Sequence, residues 1–523
     1  MKQAGARRDA LWLAALWLLV VAVSLARPLL PIDETRYAAV AWEMWQRGDF
    51  LVPYLNGEPY HHKPPLLFWL IHAGWWLFGV NEWTMRLISP LFGAATLGLA
   101  FGLGRQLWPG RPEVGRMAPF ILLSSLLFTY FTSALMFDLM LSFFVALGFV
   151  GLVRAWRTDA GAGGFVLLAI GMGGALFAKG PVALLHLLPL ALFAPWWMRE
   201  QRPAWGRWYL RVLLALFGAA ALILAWAIPA GQHGGEAYRE AIFWGQTANR
   251  MVKSFAHQAP WWTYLMWLPL LLAPWLLWPQ WWRGLERALF DESGWRFALF
   301  STLFCLVAFS LVSGKRPHYL LPQFLLFALL AARALCEVPR SRWSLALPSL
   351  GLAAIGTAMF FLTPRLAAQS PGVDIKGPLW VAAALCLLCA AVLGALRPGT
   401  ALQEVRRIAT ATLIAACGVM VVFEIAVRET YDLDAVGAKL SQHERDGRPL
   451  AMAGDYHGQW TFAGRLQQGL VEVPAKDVAE WLRDHPRGRV VLPYRSDAEL
   501  PPGLQVEYSR PYRGSRLAIL ALP

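Results

Sequence analysis

Charge is what this 523-residue sequence has least of. Asp, Glu, Lys and Arg make up 15% of it, where a soluble protein of this length carries about 25%. With 57% hydrophobic residues and a mean hydropathy of +0.44, that shortfall excludes an ordinary water-soluble domain. Acid is scarcer than base: 33 Asp and Glu stand against 47 Lys and Arg, a formal net charge of +14. A basic balance can signal nucleic acid, but here the arginines sit in short loops between apolar runs. That is the pattern of cytoplasmic loops in a membrane protein, so no nucleic-acid partner is expected. Cysteine is also sparse, and all five lie in or beside apolar segments. The pair Cys386 and Cys389, inside one such segment, reads as packing rather than redox chemistry or metal binding. The alternating pattern of a membrane β-barrel is absent. So are a 20-to-50-residue repeat and any low-complexity tract.

What is present is a series of apolar runs of roughly 20 residues, long enough to cross the ~30 Å hydrocarbon core as helices. About thirteen spans are expected, near 10–30, 83–107, 116–136, 139–156, 162–178, 180–198, 209–230, 262–282, 295–313, 317–337, 344–363, 378–396 and 405–427. The run from Ala10 to Ala26 is long for a signal peptide and reads as a retained first helix. The segment 64–79, opened by Pro64 and Pro65, is expected to be a span or an interfacial or re-entrant helix. The fold class is thus an all-α polytopic membrane protein with a small C-terminal α/β domain. Residues 1–430 form the membrane domain, with a first extracytoplasmic loop at 27–82. From 431 to 523 charge becomes frequent and short alternating runs appear, as in Arg489–Pro493 and Leu517–Leu520.

Alternate loops collect the arginines, among them Arg7, Arg8, Arg105, Arg154, Arg199, Arg283, Arg340 and Arg397, and should face the cytoplasm with the N-terminus. An odd number of spans places the C-terminal domain on the other side. The opposite loops hold isolated ionisable groups beside Gly or Pro: Asp33, Glu34 and Lys63; Asp138; Lys179; Arg250, Lys253 and His257; Lys315, Arg316 and His318. Each such group costs about 2.5–3.5 kcal/mol at membrane depth and by default suggests function.

The richest of these loops runs from Arg27 to Pro65. It offers Asp33 and Glu34, then Arg36 and Tyr37, an amphipathic helix over Ala38–Gln46, and finally His61, His62, Lys63 and two prolines. Asp33 also suits an interfacial helix cap, Lys63 a snorkelling lysine, and Asp138 a helix N-cap. Taken together they are two carboxylates and several cations converging on one membrane face. Cations reaching headgroup depth hold phosphate. The carboxylates can orient sugar hydroxyls or amines, or stabilise an oxocarbenium-like centre. A transporter or flippase for a lipid-linked substrate would instead place its ionisable groups near the midplane, in paired half-chain repeats. Neither feature is evident.

The stretches Pro31-Ile32-Asp33-Glu34-Thr35-Arg36-Tyr37, Gly48-Asp49-Phe50 with Asn56-Gly57, and Tyr60-His61-His62-Lys63-Pro64-Pro65 closely resemble the first extracytoplasmic loop of the lipid A aminoarabinose transferases. Those are GT-C glycosyltransferases, akin to protein mannosyltransferases. Ala178-Lys179-Gly180-Pro181, His257 with Pro260-Trp261-Trp262, and Lys315-Arg316-Pro317-His318-Tyr319 resemble later motifs of the same family, and the likeness covers about residues 10–340. It implies inverting transfer of a sugar, an amino sugar first among them, from undecaprenyl phosphate to lipid A or another envelope acceptor at a bacterial inner membrane. It implies Asp33, Glu34 and Asp138 as catalytic candidates, beside the sugar or acceptor in the case of the two aspartates. Lys63 and Arg250 would hold the polyprenyl phosphate, with Arg36, Tyr37, Lys179, Lys315, His318 and Tyr319 in the substrate site. The family has Glu where this chain has His62. That Glu helps to bind a metal with a His aligned to His257, so the resemblance leaves room for a divalent metal such as zinc on His62 and His257. The exchange also weakens the case for aminoarabinose as the sugar. A phosphate acceptor would need no general base, whereas a hydroxyl acceptor would.

Overall fold

The computed structural model describes residues 2–245, 258–339, 341, 343–368 and 375–523. It is a helical bundle carrying a small sheet domain on one end. Among the described residues nine helices are long and apolar enough to cross a membrane. They cover nine of the thirteen expected spans. The other four are helical but broken, and proline accounts for it. The expected span at 116–136 divides into α6 (Pro112–Leu123) and α7 (Leu126–Ser133), bent by 66°. Pro119 lies in the first piece, and Ser124 and Ser125 return hydroxyl bonds to Phe120 and Ile121 at the break. Pro181, Pro189 and Pro195 fragment 181–197, Pro269, Pro274 and Pro279 fragment 263–283, and Pro317 and Pro322 shorten the helix at Gln323–Leu335. Proline removes a helical donor and clashes with the preceding turn. Such breaks survive at membrane depth where neighbouring helices satisfy the freed backbone.

The first long helix, α1 (Lys2–Ala26), leads into the loop that builds one side of the site. There α2 (Asp33–Arg47) buries Tyr37, Ala38, Val40, Ala41 and Met44 against the bundle. Asp33 and Glu34 open it, where the helix dipole favours negative charge. Gly48, at φ +66, closes it with its N–H on Trp45 O. A two-residue hairpin follows, β1 (Tyr54–Leu55) and β2 (Glu58–Pro59), turned by Asn56 and Gly57, both at positive φ. Glu43 of α2 accepts both turn amides, at 2.6 and 3.0 Å. Next, α3 (Leu66–Phe78) has 13 residues, a length of about 20 Å that falls short of the hydrocarbon core. It is therefore not a span.

After α4 (Glu82–Arg86) and α5 (Ile88–Leu107), the chain reaches the pair that fixes the site's floor. These are α8 (Asp138–Arg157) and α9 (Ala162–Lys179), an antiparallel hairpin. Small residues let the two backbones touch: a Cβ on Gly164 would lie 2.4 Å from Ala155 N, and one on Gly171 would lie 2.7 Å from Gly148 N. Because the hairpin folds back on itself, its first residue and its last, Asp138 and Lys179, meet at the same end.

The C-terminal domain is a five-stranded mixed sheet in the order β4-β3-β5-β7-β6. Its strands are β3 (Leu450–Ala453), β4 (Val471–Val473), β5 (Arg489–Tyr494), β6 (Gln505–Tyr512) and β7 (Ser515–Ala521). Side chains alternate across it. Met452, Val491 and Ile519 pack with Val436 and Leu440 of the helix Asp434–Arg445, while Ala451, Val490 and Ala518 pack with Val478 and Leu482 of the helix Val478–Asp484. The domain rests on the first loop. Trp42 and Gln46 donate to Leu466 O, Asn56 exchanges two bonds with Leu470, and the Phe462 ring stacks on Trp75 at 5.5 Å.

Candidate active site

The floor of the site is a buried ion pair. Lys179 Nζ donates to Asp138 Oδ1 at 2.6 Å, with the two side chains 8% and 1% exposed. Lys63 and His318 are the next charged or titratable neighbours of that carboxylate. Aromatic rings line the space around it. Lys63 Nζ lies 5.9 Å from the Phe137 ring, and Lys179 Nζ lies 5.3 Å from the Tyr319 ring. Tyr37 meets Phe137 edge-on at 5.0 Å, and His318 stands 5.3 Å from Phe131 and 5.1 Å from Tyr319. Such faces stabilise cations by their quadrupoles.

Above this floor stands the start of α2. Asp33 is 55% exposed and 3.7 Å from Arg36 Nη1. Tyr37 lies between the two levels, since Asp33 and Asp138 both act on its phenol. Burial first, then Tyr60 and those carboxylates, push the Tyr37 pKa up, so it remains an O–H donor. Asp33, Arg36, Tyr37, Lys63, Asp138, Lys179, His318 and Tyr319 thus come together from four separate segments. Arg36, Lys63 and Lys179 outnumber the two carboxylates, which leaves positive charge for an anionic ligand.

Two candidates are drawn off into the frame. Glu34 does not face the site. Its carboxylate is buried and accepts from Arg27 Nη2, from Leu30 N at 2.8 Å and from Leu135 N at 2.9 Å. Arg27 in turn donates to Ser133 O at 2.8 Å. Glu34 is a positioning residue that ties α2 to the strand-like link before Asp138, and nothing in its local sequence separates it from its neighbour. Glu34→Gln strips a charge from a buried pair, a loss of about 3–5 kcal/mol. The purified protein in detergent should unfold at a clearly lower temperature. Lys315 is likewise committed: it is buried, and its Nζ donates to Ala259 O at 2.9 Å and Val312 O at 2.7 Å, holding two loops together.

Arg250 and His257 lie outside the described residues. His62 packs against Tyr60 and His61, with ring centroids at 5.2 and 4.6 Å. No three His, Cys, Asp or Glu side chains among the described residues converge as a metal set. No step below runs through a metal.

Comparison with known proteins fits this arrangement. Residues 10–233 match the family model of dolichyl-phosphate-mannose-protein mannosyltransferases. The undecaprenyl phosphate-alpha-4-amino-4-deoxy-L-arabinose arabinosyl transferase of Edwardsiella ictaluri is 33% identical over 328 residues, 61% of this chain and 58% of that protein. The enzyme of the same name from Pseudomonas paraeruginosa is 33% identical over 342 residues, 63% of this chain and 60% of its own length. The matched region thus spans about three-fifths of these relatives. The crystal structure of ArnT from Cupriavidus metallidurans bound to undecaprenyl phosphate superposes with a TM-score of 0.79 over 98% of this chain and 99% of that one, at 20% identity. The chain has the fold of that ArnT structure. This ArnT-like chain is a multi-pass membrane protein whose helical bundle and C-terminal sheet domain both have counterparts in that fold, because the superposition runs through the whole chain. Its Asp138–Lys179 pair lies within the matched segment.

Proposed function

We propose that this ArnT-like chain is a glycosyltransferase that moves 4-amino-4-deoxy-L-arabinose from undecaprenyl phosphate to a phosphate of lipid A, at the extracytoplasmic face of a bacterial inner membrane. The observation that carries the reading is the buried Asp138–Lys179 pair, flanked by Lys63 and overlooked by the exposed Asp33. The names of the relatives supply the sugar and the carrier. In this reading the bond from the sugar's anomeric carbon to the donor phosphate breaks, and undecaprenyl phosphate leaves with the electron pair. An acceptor phosphate oxygen attacks from the opposite face and inverts the centre. That oxygen is already anionic, so no base is required. Lys63, with Lys179 behind it, stabilises charge on the departing phosphate. Asp33 stabilises the positive charge that develops on the sugar, or its amine. The N-terminus lies in the cytoplasm and the sheet domain outside it, which puts the site on the side where lipid A phosphates are exposed.

Mass spectrometry of lipid A from source cells with and without the chain tests this. An aminopentose on the phosphates, lost on deletion and restored by the wild-type chain, is the expected result. A lost sugar of another kind would keep the chemistry and change the substrate. Unchanged lipid A would refute lipid A as acceptor, and substrate translocation without any sugar transfer would refute the transferase reading.

A further inference from the structure

The C-terminal domain reaches the edge of the site through the segment after β3. Gly458 there has φ +74, and a Cβ on it would lie 2.6 Å from Ala39 Cβ and 2.9 Å from Leu55 Cδ1. Only glycine accepts both the conformation and the approach. Ala39 sits three residues beyond Arg36 on α2, on the same helical face. The residue before Gly458 is thereby carried to the start of α2: Arg36, Asp33, Asp455 and Glu472 are the charged groups facing the His457 imidazole.

Two groups here hold unused donors. The His457 ring makes no hydrogen bond among the described residues, although its backbone N–H is bonded to Gln459 at 2.9 Å. The Arg36 guanidinium has one long contact, 3.7 Å to Asp33, and its Nε is buried without a partner. An unsatisfied buried guanidinium nitrogen is costly. An oxyanion set between these side chains would satisfy both. The segment is held rigidly, since Phe462 stacks on Trp75 with planes 6° apart and Arg465 covers the Phe462 ring at 3.7 Å. It acts as a fixed wall and not as a lid.

We propose that Arg36 and His457 form the subsite for the acceptor's phosphate, so that the C-terminal domain supplies a specificity-determining residue to the site. This rests on the glycosyl-transfer reading above. The placement favours the acceptor over the donor. Lys63 and Lys179 occupy the buried end beside Asp138, where a phosphate on a membrane-embedded polyprenol would lie, whereas Arg36 and His457 flank the exposed Asp33. Burial, then Arg36, hold the His457 pKa below its ordinary value against the pull of Asp455, Glu472 and Asp33. At neutral pH it is an uncharged N–H donor.

The test uses the full-length purified chain with undecaprenyl-phosphate aminoarabinose and lipid A. His457→Ala should raise the KM for lipid A about tenfold, change kcat by less than about twofold, and leave the donor KM unaltered. His457→Gln, whose amide N–H can replace the imidazole's, should recover most of the loss. A lower unfolding temperature with both KM values unchanged would mean a purely structural role and overturn the proposal. A rise in the donor KM alone would assign the subsite to the donor and also overturn it. An Asp33→Asn variant measured in parallel separates the two readings. If it is inactive while His457→Ala behaves as the parent, this inference fails and the glycosyl-transfer reading stands. If the parent itself transfers no sugar, the glycosyl-transfer reading fails first, whereas an Asp33→Asn variant as active as the parent removes only the role given to Asp33.

Discussion

Asp33→Asn is expected to lower transfer by about 10²–10³-fold, the usual loss when one preorganised electrostatic partner of a transition state is removed. The fold should not notice. Asp33 is 55% exposed and its one ion pair, with Arg36, is 3.7 Å long. Exposed pairs contribute about 0–1 kcal/mol, and the helix-dipole contribution at an N-terminus is about 0.3–1 kcal/mol. The unfolding temperature in detergent should therefore shift by only a few degrees, while turnover collapses. Undecaprenyl phosphate should still bind, because the cations beside Asp138 are untouched. Turnover at the parental rate would remove Asp33 from the chemistry and, with it, the two-level site.

The second large effect is expected from Lys179→Met. It leaves Asp138, 1% exposed, without the ammonium that compensates it at 2.6 Å. Removing one partner of such a pair costs about 3–5 kcal/mol. The variant should express poorly or unfold far below the parent. Adding Asp138→Asn removes the stranded charge, so the double variant should regain most of the stability. It should not regain transfer, because the cation of the floor is still missing. A double variant that is both stable and active would show that the pair is only a structural clamp. A double variant as unstable as Lys179→Met would show that the charge balance drawn here is wrong.

Most of the site's polar residues were visible in the sequence for one reason. Ionisable groups are costly at membrane depth, so those that remain are conspicuous. Asp33, Lys63, Asp138, Lys179 and His318 were singled out in that way, and the structure brings them to one end of the bundle. The same argument could not separate Glu34 from Asp33 or Lys315 from Lys179. Each pair has the same residue types in similar loops. What divides them is whether neighbouring backbone groups consume the side chain, as Leu30 N and Leu135 N do for Glu34 and as Ala259 O and Val312 O do for Lys315. Those partners come from distant segments.

Helix continuity shows the same limit. Apolar length located every membrane segment, yet four of them are broken at prolines. A window average counts proline as one residue among twenty, while the backbone registers a missing donor and a clash. The Asn56-Gly57 turn is by contrast a local feature, and its hairpin is what Glu43 and Leu470 grip.

By itself the sequence determined that this is a multi-pass helical membrane protein with a small sheet domain. Composition and apolar period carry that information, because the bilayer acts on every residue alike. Only the tertiary structure decided which carboxylate is spent on the frame, which lysine closes a buried pair, and that His457, over four hundred residues from Asp33 in the chain, comes within reach of its charge. Hydrogen bonds and ion pairs act over a few ångströms, and only the folded chain brings such distant residues within that range.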